Sequence, residues 1–264
     1  MVLKAYFNLL SFGYTQSSSD HSLFFKHYND SITALLVYVN DVILAGNNLQ
    51  EIDHVKAYLD AAFKIKDLHD LKFFLGLEVA CSKHGITLYQ CKYALDILSD
   101  AGYLACKPTT TPMDSFVKLS NIVGDFLSDP TYYRRLVGRL LYLTSTRLDL
   151  SFAVQQLSQF LDKPTSAHLQ AANRVLCYVK SCPAYGLFFL ASSNLTLKAF
   201  SDSDWARCPA TRKSITVSES SSEVQYRALA STTCELQWLH YLLQDLHVLH
   251  SHPALLFYDN KSAL

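Results

Sequence analysis

Apolar residues fall into short runs with two different periods. Residues 35–39 and 42–46 are near-continuous apolar stretches separated by the polar step Asn40–Asp41. Runs of this length bounded by turn-forming residues read as strands. Asn and Asp tolerate the left-handed backbone of a tight turn, so the segment predicts a buried β-hairpin turning at Asn40 and Asp41. Just beyond it the period lengthens to that of a helix. Ile52, Val55, Leu59 and Phe63 share one face, and Asn48 followed by Glu51 makes a capping-box signature. Residues 71–79 and 86–90 read as strands around a turn at Lys83, His84 and Gly85, and residues 92–101 as a helix stopping at Gly102.

Upstream of the hairpin, Leu3, Phe7, Leu10 and Phe12 predict a short apolar helix, followed by a Ser-rich turn at 17–20 and a strand at Leu23, Phe24 and Phe25. After Gly102 the periodicity fades into a linker marked by Pro108 and Pro112. Asp129–Pro130 then predicts a helix start, a cap followed by a first-turn proline. Tyr133, Leu136, Val137, Leu140 and Leu141 give that helix one apolar stripe. Helices at 149–161 and 166–180, strands at 187–190 and 195–202, a long helix at 221–246 and a last strand at 254–258 complete the chain. The fold class is mixed α/β, of the α+β kind.

Composition narrows the picture. The 264 residues are half hydrophobic, enough for one large domain or two small ones. Only 17% are charged, so part of the apolar surface is expected to face a further partner or domain. The net charge of zero argues against a free-standing nucleic-acid binder. The charge is uneven, however. Residues 130–180 carry seven basic side chains (Arg134, Arg135, Arg139, Arg147, Lys163, Arg174, Lys180) against the two acids Asp149 and Asp162. Such a segment either faces a phosphate backbone or forms ordinary solvated helix faces. The seven cysteines include no Cys-x-x-Cys pair and read as reduced thiols, not as a disulfide frame or zinc site. With no signal-peptide pattern and no stretch of membrane-span length, the expectation is an intracellular protein, cytoplasmic or nuclear, with no membrane partner. Nothing in the pattern sets an oligomeric state. His247, His250 and His252 have metal-like spacing but read as a solvated loop. Trp205 reads as core, and Asp204 as either a strand-end cap or a site residue.

The motifs, taken in order, resemble the Pol polyprotein of copia-type LTR retrotransposons, those of plants above all. The match runs essentially end to end. It is carried by Gly13-Tyr14-Thr15-Gln16, Ser19-Asp20-His21-Ser22-Leu23-Phe24, residues 35–47 around Tyr38-Val39-Asn40-Asp41, residues 63–68, Phe74-Leu75-Gly76-Leu77-Glu78-Val79, residues 132–143, Ser201-Asp202-Ser203-Asp204-Trp205-Ala206, Tyr226-Arg227-Ala228-Leu229-Ala230 and Asp259-Asn260-Lys261-Ser262-Ala263. Each is modest alone; their order and spacing make the resemblance specific.

The resemblance implies a partial reverse transcriptase over residues 1–125, comprising the end of the palm with its hairpin, primer-gripping strands around Phe74, Leu75 and Gly76, and thumb. A helical connection over 126–194 and a truncated RNase H-like sheet over 195–264 would follow. It implies Mg2+ as cofactor and an RNA or DNA template-primer as partner, contacted by Tyr38, Phe74, Leu75, Gly76, Arg134, Arg135 and Arg139. The family holds its metal ions on clustered carboxylates. Asp41 matches the second acid of the hairpin, Asp202 the first of the RNase H site and Asp259 a later one. Asn40 stands where the family has the first hairpin acid, and Gln225 where it has the catalytic Glu. The resemblance puts further acids of both sites upstream and downstream of this stretch, and strands that would follow position 216 are missing. A hard ion favours carboxylate oxygen, and losing such a ligand costs on the order of a thousandfold in rate. The expectation is therefore an inactive polymerase and RNase H, with a loosely folded C-terminal part. The alternatives are a non-catalytic nucleic-acid-binding remnant and a part of a longer active polyprotein.

Overall fold

A computed structural model of the chain describes residues 9–114, 119–120, 123–193, 196–202, 221–248 and 252–258, with backbone alone for 221–225. It divides into two compact units, Met1–Asp70 with Asn194–Leu264, and Leu71–Ser193. These divisions lie at 70/71 and 193/194, whereas the sequence reading divides the chain at 125/126 and 194/195.

The first unit is built on a four-stranded antiparallel sheet in the order β1 (Thr15–Gln16), β2 (Leu23–Tyr28), β3 (Ser31–Tyr38), β4 (Asp41–Gly46). Leu35 pairs with Leu44, Leu36 with Ile43 and Val37 with Val42, which sets the β3–β4 register. Helix α1 (Leu49–Phe63) covers one face, and its Val55 and Leu59 join Leu9, Tyr14, Phe24 and Leu35 in a buried cluster. Asn48 caps α1 by accepting from the Glu51 backbone N–H at 3.2 Å. The reciprocal half of the expected capping box is not made. The Glu51 carboxylate turns instead to Tyr14, whose hydroxyl donates at 3.2 Å, and to Lys26 at 2.9 Å. A charged partner from the sheet outcompetes a neutral backbone N–H.

The same unit contains a two-stranded parallel sheet of β9 (Lys198–Ser201) and β10 (Leu255–Tyr258), with the long helix α6 (Ser221–Asp245) between them in sequence. Its outward face carries Phe200, 77% exposed, stacked on Phe257 at 5.1 Å. The C-terminal end of α6 meets the loop between β1 and β2. Trp238 Nε1 donates to the Ser19 carbonyl at 2.8 Å, and Ser17 Oγ donates to Asp245 Oδ2 at 2.6 Å. His247, expected in a solvated loop, instead stacks on His27 with ring centroids 3.3 Å apart. His250, Trp205 and Asp204 lie outside the described residues.

The second unit pairs a sheet with a helical cluster. The sheet order is β5 (Phe73–Phe74), β6 (Leu77–Ser82), β7 (Gly85–Tyr89), β8 (Gly186–Leu190). The expected strand at 187–190 thus returns after four helices to pair antiparallel with β7. Helices α2 (Cys91–Asp100), α3 (Thr131–Leu143), α4 (Ser151–Ser158) and α5 (Ser166–Ser181) bury one continuous cluster. From the α3 stripe, Tyr133, Leu136, Val137 and Leu140 are in this core, while Leu141 is exposed. Asp129 caps the α3 start by accepting from Thr131 N at 2.8 Å. Helix α5 begins with an unusual capping box. The Thr165 N–H donates to His168 Nδ1 at 2.9 Å, and burial holds the His168 ring below its ordinary pKa, in the neutral form this bond requires.

Arg147 departs from the sequence reading. Counted there among basic residues for a solvated or phosphate-facing surface, it is 1% exposed. Its guanidinium forks onto the Asp149 carboxylate at 2.9 and 2.8 Å, donates to the Cys182 carbonyl at 2.7 Å, and lies near the rings of Tyr178 and Tyr185. A delocalised, weakly hydrated cation with a bidentate partner is the charge best suited to burial.

Candidate active site

The β3–β4 hairpin presents the candidate polymerase residues. The apolar cross-strand pairs fix its ladder, and the last pair is Tyr38 with Asp41. The two-residue loop is therefore Val39–Asn40, one position earlier than the Asn40–Asp41 turn expected from residue preferences. Turn-forming residues bias a turn, but strand register follows burial of the apolar face. Val39 takes a positive φ of 50°, at the position where two-residue hairpins usually carry Gly. For a β-branched residue this backbone is strained, and such strain concentrates at functional sites.

The tip is open to solvent. Tyr38 is 50% and Val39 61% exposed, and Asn40 and Asp41 are exposed beside them. Chemically the tip offers one carboxylate, from Asp41, and one neutral amide, from Asn40. Among the described residues no group of three or more His, Cys, Asp or Glu side chains converges to hold a metal ion. This donor set does not fit a two-ion centre, which needs clustered carboxylates.

The second candidate cluster lies at the ends of β9 and β10. Ser201 pairs with Tyr258 in the last register step, and Asp202 is the next residue after β9. Asp259 follows Tyr258 in sequence and lies outside the described residues, as does the side chain of Gln225 in the first turns of α6.

Phe74, Leu75 and Gly76 form a second tight hairpin. Phe74 pairs with Leu77, leaving Leu75 and Gly76 as the loop, with φ of 47° and 79°. Tyr142 of α3 donates its hydroxyl hydrogen to the Leu75 carbonyl. A Cβ on Gly76 would sit 2.7 Å from that hydroxyl oxygen, so the glycine is required by close approach as well as by its backbone. The Tyr93 ring meets Tyr142 edge-on at 5.1 Å and holds it in place. Sequence reasoning gave Tyr142 no role. Its one signal is position, an aromatic residue off the buried stripe of α3.

The three arginines expected to contact nucleic acid each make a contact within the chain. Arg134 donates to the carbonyls of Leu161 and Asp162 at 2.7 and 3.0 Å. Arg139 forms an ion pair with Asp100 at 2.6 Å and lies over the Tyr93 ring. Arg135 lies over the ring of Tyr132.

Comparison with known proteins follows the same lines. The family described as reverse transcriptase (RNA-dependent DNA polymerase) matches residues 4–115. The Pol polyprotein of transposon RE2 from Arabidopsis thaliana is 38% identical over 275 aligned residues, covering 97% of this chain and 19% of that protein. The Pol polyprotein of transposon TNT 1-94 from Nicotiana tabacum is 29% identical over 95% of this chain and 21% of its own length. An uncharacterized mitochondrial protein of Arabidopsis thaliana is 40% identical over 77% of this chain and 93% of its own length. The chain thus spans about a fifth of the transposon polyproteins that it matches. No solved structure matches it.

Proposed function

The chain belongs to the copia-type retrotransposon Pol family, and from that premise we propose that it is a reverse-transcriptase-related segment without nucleotidyl-transfer activity. The observation that carries this reading is the hairpin tip, where Asn40 occupies the loop beside Asp41. In the family's chemistry two Mg2+ ions, when bound, activate the attacking oxygen and stabilise the leaving one. An amide keeps the shape of the missing carboxylate and removes its charge, and Asp41 alone leaves a hard dication undercoordinated.

The C-terminal part is read as an RNase H-like remnant. The parallel pairing of β9 with β10 around α6 supports that reading, because it orders the strands so that Asp202 and Asp259 each follow a strand end. Gln225 in place of an acid makes this site inactive as well. The experiment for both parts is a Mg2+-dependent assay of primer extension and RNA-strand cleavage by the purified chain. Neither product is expected, and Asp41-dependent extension overturns the polymerase half.

A second reading, retained binding of an RNA or DNA template-primer, is favoured by the exposed rings of Tyr38 and Phe73 at the two hairpins. Exposed aromatic rings stack on bases without sequence preference. Arg134 and Arg135 are exposed and keep their charge, whereas Arg139 is ion-paired with Asp100, so such binding should be salt-sensitive and weaken when Arg134 and Arg135 are changed. Titration of a labelled single strand at low and moderate salt tests this. No binding at low salt ends the reading.

A further inference from the structure

The segment that leads into α3 crosses the start of helix α5 as a short strap, held by Thr165 and Ser166. Thr165 Oγ1 donates to the Val123 carbonyl at 2.7 Å. The Ser166 N–H donates to the Asp125 carbonyl at 2.8 Å, and Ser166 Oγ accepts from the Asp125 N–H at 3.2 Å. The Leu127 N–H donates to the Pro164 carbonyl at 3.0 Å, and Phe126 and Thr165 form an isolated β-bridge. At Gly124 a Cβ would sit 2.7 Å from Ser166 Oγ, so the strap lies too close to α5 for a side chain there. Behind these contacts His168 is fully buried. Its Nδ1 accepts the Thr165 N–H at 2.9 Å and lies 3.0 Å from Thr165 Oγ1. A backbone N–H can only donate, so Nδ1 is bare and the hydrogen of the neutral ring is on Nε2. Nε2 is buried with no partner among the described residues. The ring stacks on Phe160 with centroids 4.0 Å apart and faces the Tyr133 ring at 6.5 Å.

We propose that His168 is a proton-operated latch, which when neutral holds residues 123–127 against the start of α5 and when protonated releases them. A proton added to Nδ1 sets one donor against another, because the Thr165 N–H then faces Nδ1–H. Turning Nδ1–H onto Thr165 Oγ1 leaves the Thr165 N–H without its acceptor. The charged ring still stands among Phe160 and Tyr133 with Nε2–H unpaired, which is costly in a buried site. Tyr133 is the titratable group facing the ring, and its hydroxyl is committed to the Leu157 carbonyl at 2.8 Å. The charged groups of the adjoining elements are Arg134 and Arg135 on α3, Asp162 and Lys163 in the turn before Thr165, and Asp125 and Asp129 along the strap. All six are exposed. Burial holds the His168 ring below its ordinary value of about 6.5 while the strap is closed. Opening the strap lets water reach the ring and restores that value. Closure is therefore complete above about pH 6.5 and is lost as pH falls from there toward the folded value.

The test is amide hydrogen exchange on the full chain at pH 7.5 and pH 5.5, read as protection factors at Asp125, Leu127 and Ser166, beside an NMR titration of the His168 ring. Protection at these amides is expected to fall roughly tenfold over that interval, since opening takes up one proton. The closed form is expected to show a neutral ring with its hydrogen on Nε2. His168→Gln supplies an acceptor at the same capping-box position without titrating, and should keep the strap equally protected at both pH values. His84 is the other histidine of the second unit and sits exposed in the turn between β6 and β7, so His84→Gln should leave the tenfold loss in place. Strap protection that does not change between the two pH values, or that falls as far in His168→Gln, overturns the proposal. So does a charged His168 ring while Leu127 and Ser166 stay protected, a result that the unsubstituted chain gives even if the Gln variant fails to fold.

Discussion

Tyr38 and Asp41 face each other as the last pair of the β3–β4 ladder, which leaves Val39 and Asn40 alone at the hairpin tip. The Asp41 carboxylate therefore sits on the strand and the Asn40 amide in the loop. The apolar pairs below them hold this arrangement whatever the tip does chemically.

Val39→Gly is expected to stabilise the first unit. Val39 sits at φ 50°, where a β-branched residue is strained and Gly is not. Against this stands the greater freedom of Gly in the unfolded chain, leaving a net gain of about 0.5–1 kcal/mol. Urea denaturation measures it. A loss of stability would mean that the loop does not hold the backbone described for it.

The Leu75–Gly76 hairpin and α3 are coupled through Tyr142. Tyr142→Phe removes one hydrogen bond and should cost about 1 kcal/mol. Gly76→Ala drives a methyl group against the Tyr142 hydroxyl and strains a φ of 79°, so it should cost more than Tyr142→Phe. The double substitution is expected to cost less than the sum of the two, because removing the hydroxyl opens the space. Simple additivity in denaturant titrations would dissolve the coupling.

Arg147 and Asp149 predict an acid-sensitive second unit. Burial raises the Asp149 carboxyl, but hydrogen bonds from Arg147 and Tyr178 and the Arg147 charge more than offset it and hold the group below the ordinary carboxylate value. A depressed folded-state pKa gives stability that is present above the unfolded value, about 4, and is lost as pH falls through the folded value. Thermal melts from pH 6 to pH 2 should show this loss below about pH 4. Asp149→Asn should remove that component. Arg147→Ala, which leaves the carboxylate and the Cys182 carbonyl without their donor, should cost about 3 kcal/mol at neutral pH.

The β9–β10 pair should exchange its amide hydrogens quickly. Two strands do not make a stable sheet by themselves, and the outward face leaves Phe200 and Phe257 exposed. Hydrogen exchange is expected to find weak protection at residues 198–200 and strong protection in the buried turns of α3 and α5. Strong protection at 198–200 would contradict a loosely folded C-terminal part.

The elements were largely legible because each rests on local patterning. The stripe of Tyr133, Leu136, Val137 and Leu140 marks α3, and the apolar runs at 35–39 and 42–46 mark the hairpin. What escaped the sequence depends on partners distant in the chain. The turn fell one residue early because cross-strand pairs such as Leu36 with Ile43, not Asn and Asp, set its register. Arg147 looks like any surface arginine until Cys182 and Tyr178 close over it. Glu51 reads as a capping residue because nothing in its own helix announces Tyr14 and Lys26. The return of β8 to β7 across four helices has no local signal at all. At the candidate site, the residues were named from the family resemblance alone, while the strained backbone of Val39 and the bond from Tyr142 to Leu75 are features of the folded chain that no local pattern announces.

The most direct test of the central claim is Mg2+-dependent primer extension by the purified chain, run beside Asp41→Ala and Asn40→Asp. The account predicts no extended product from the chain and no difference on Asp41→Ala, since a lone carboxylate at the tip supports no two-ion chemistry. Extension by the unsubstituted chain that disappears in Asp41→Ala would contradict it.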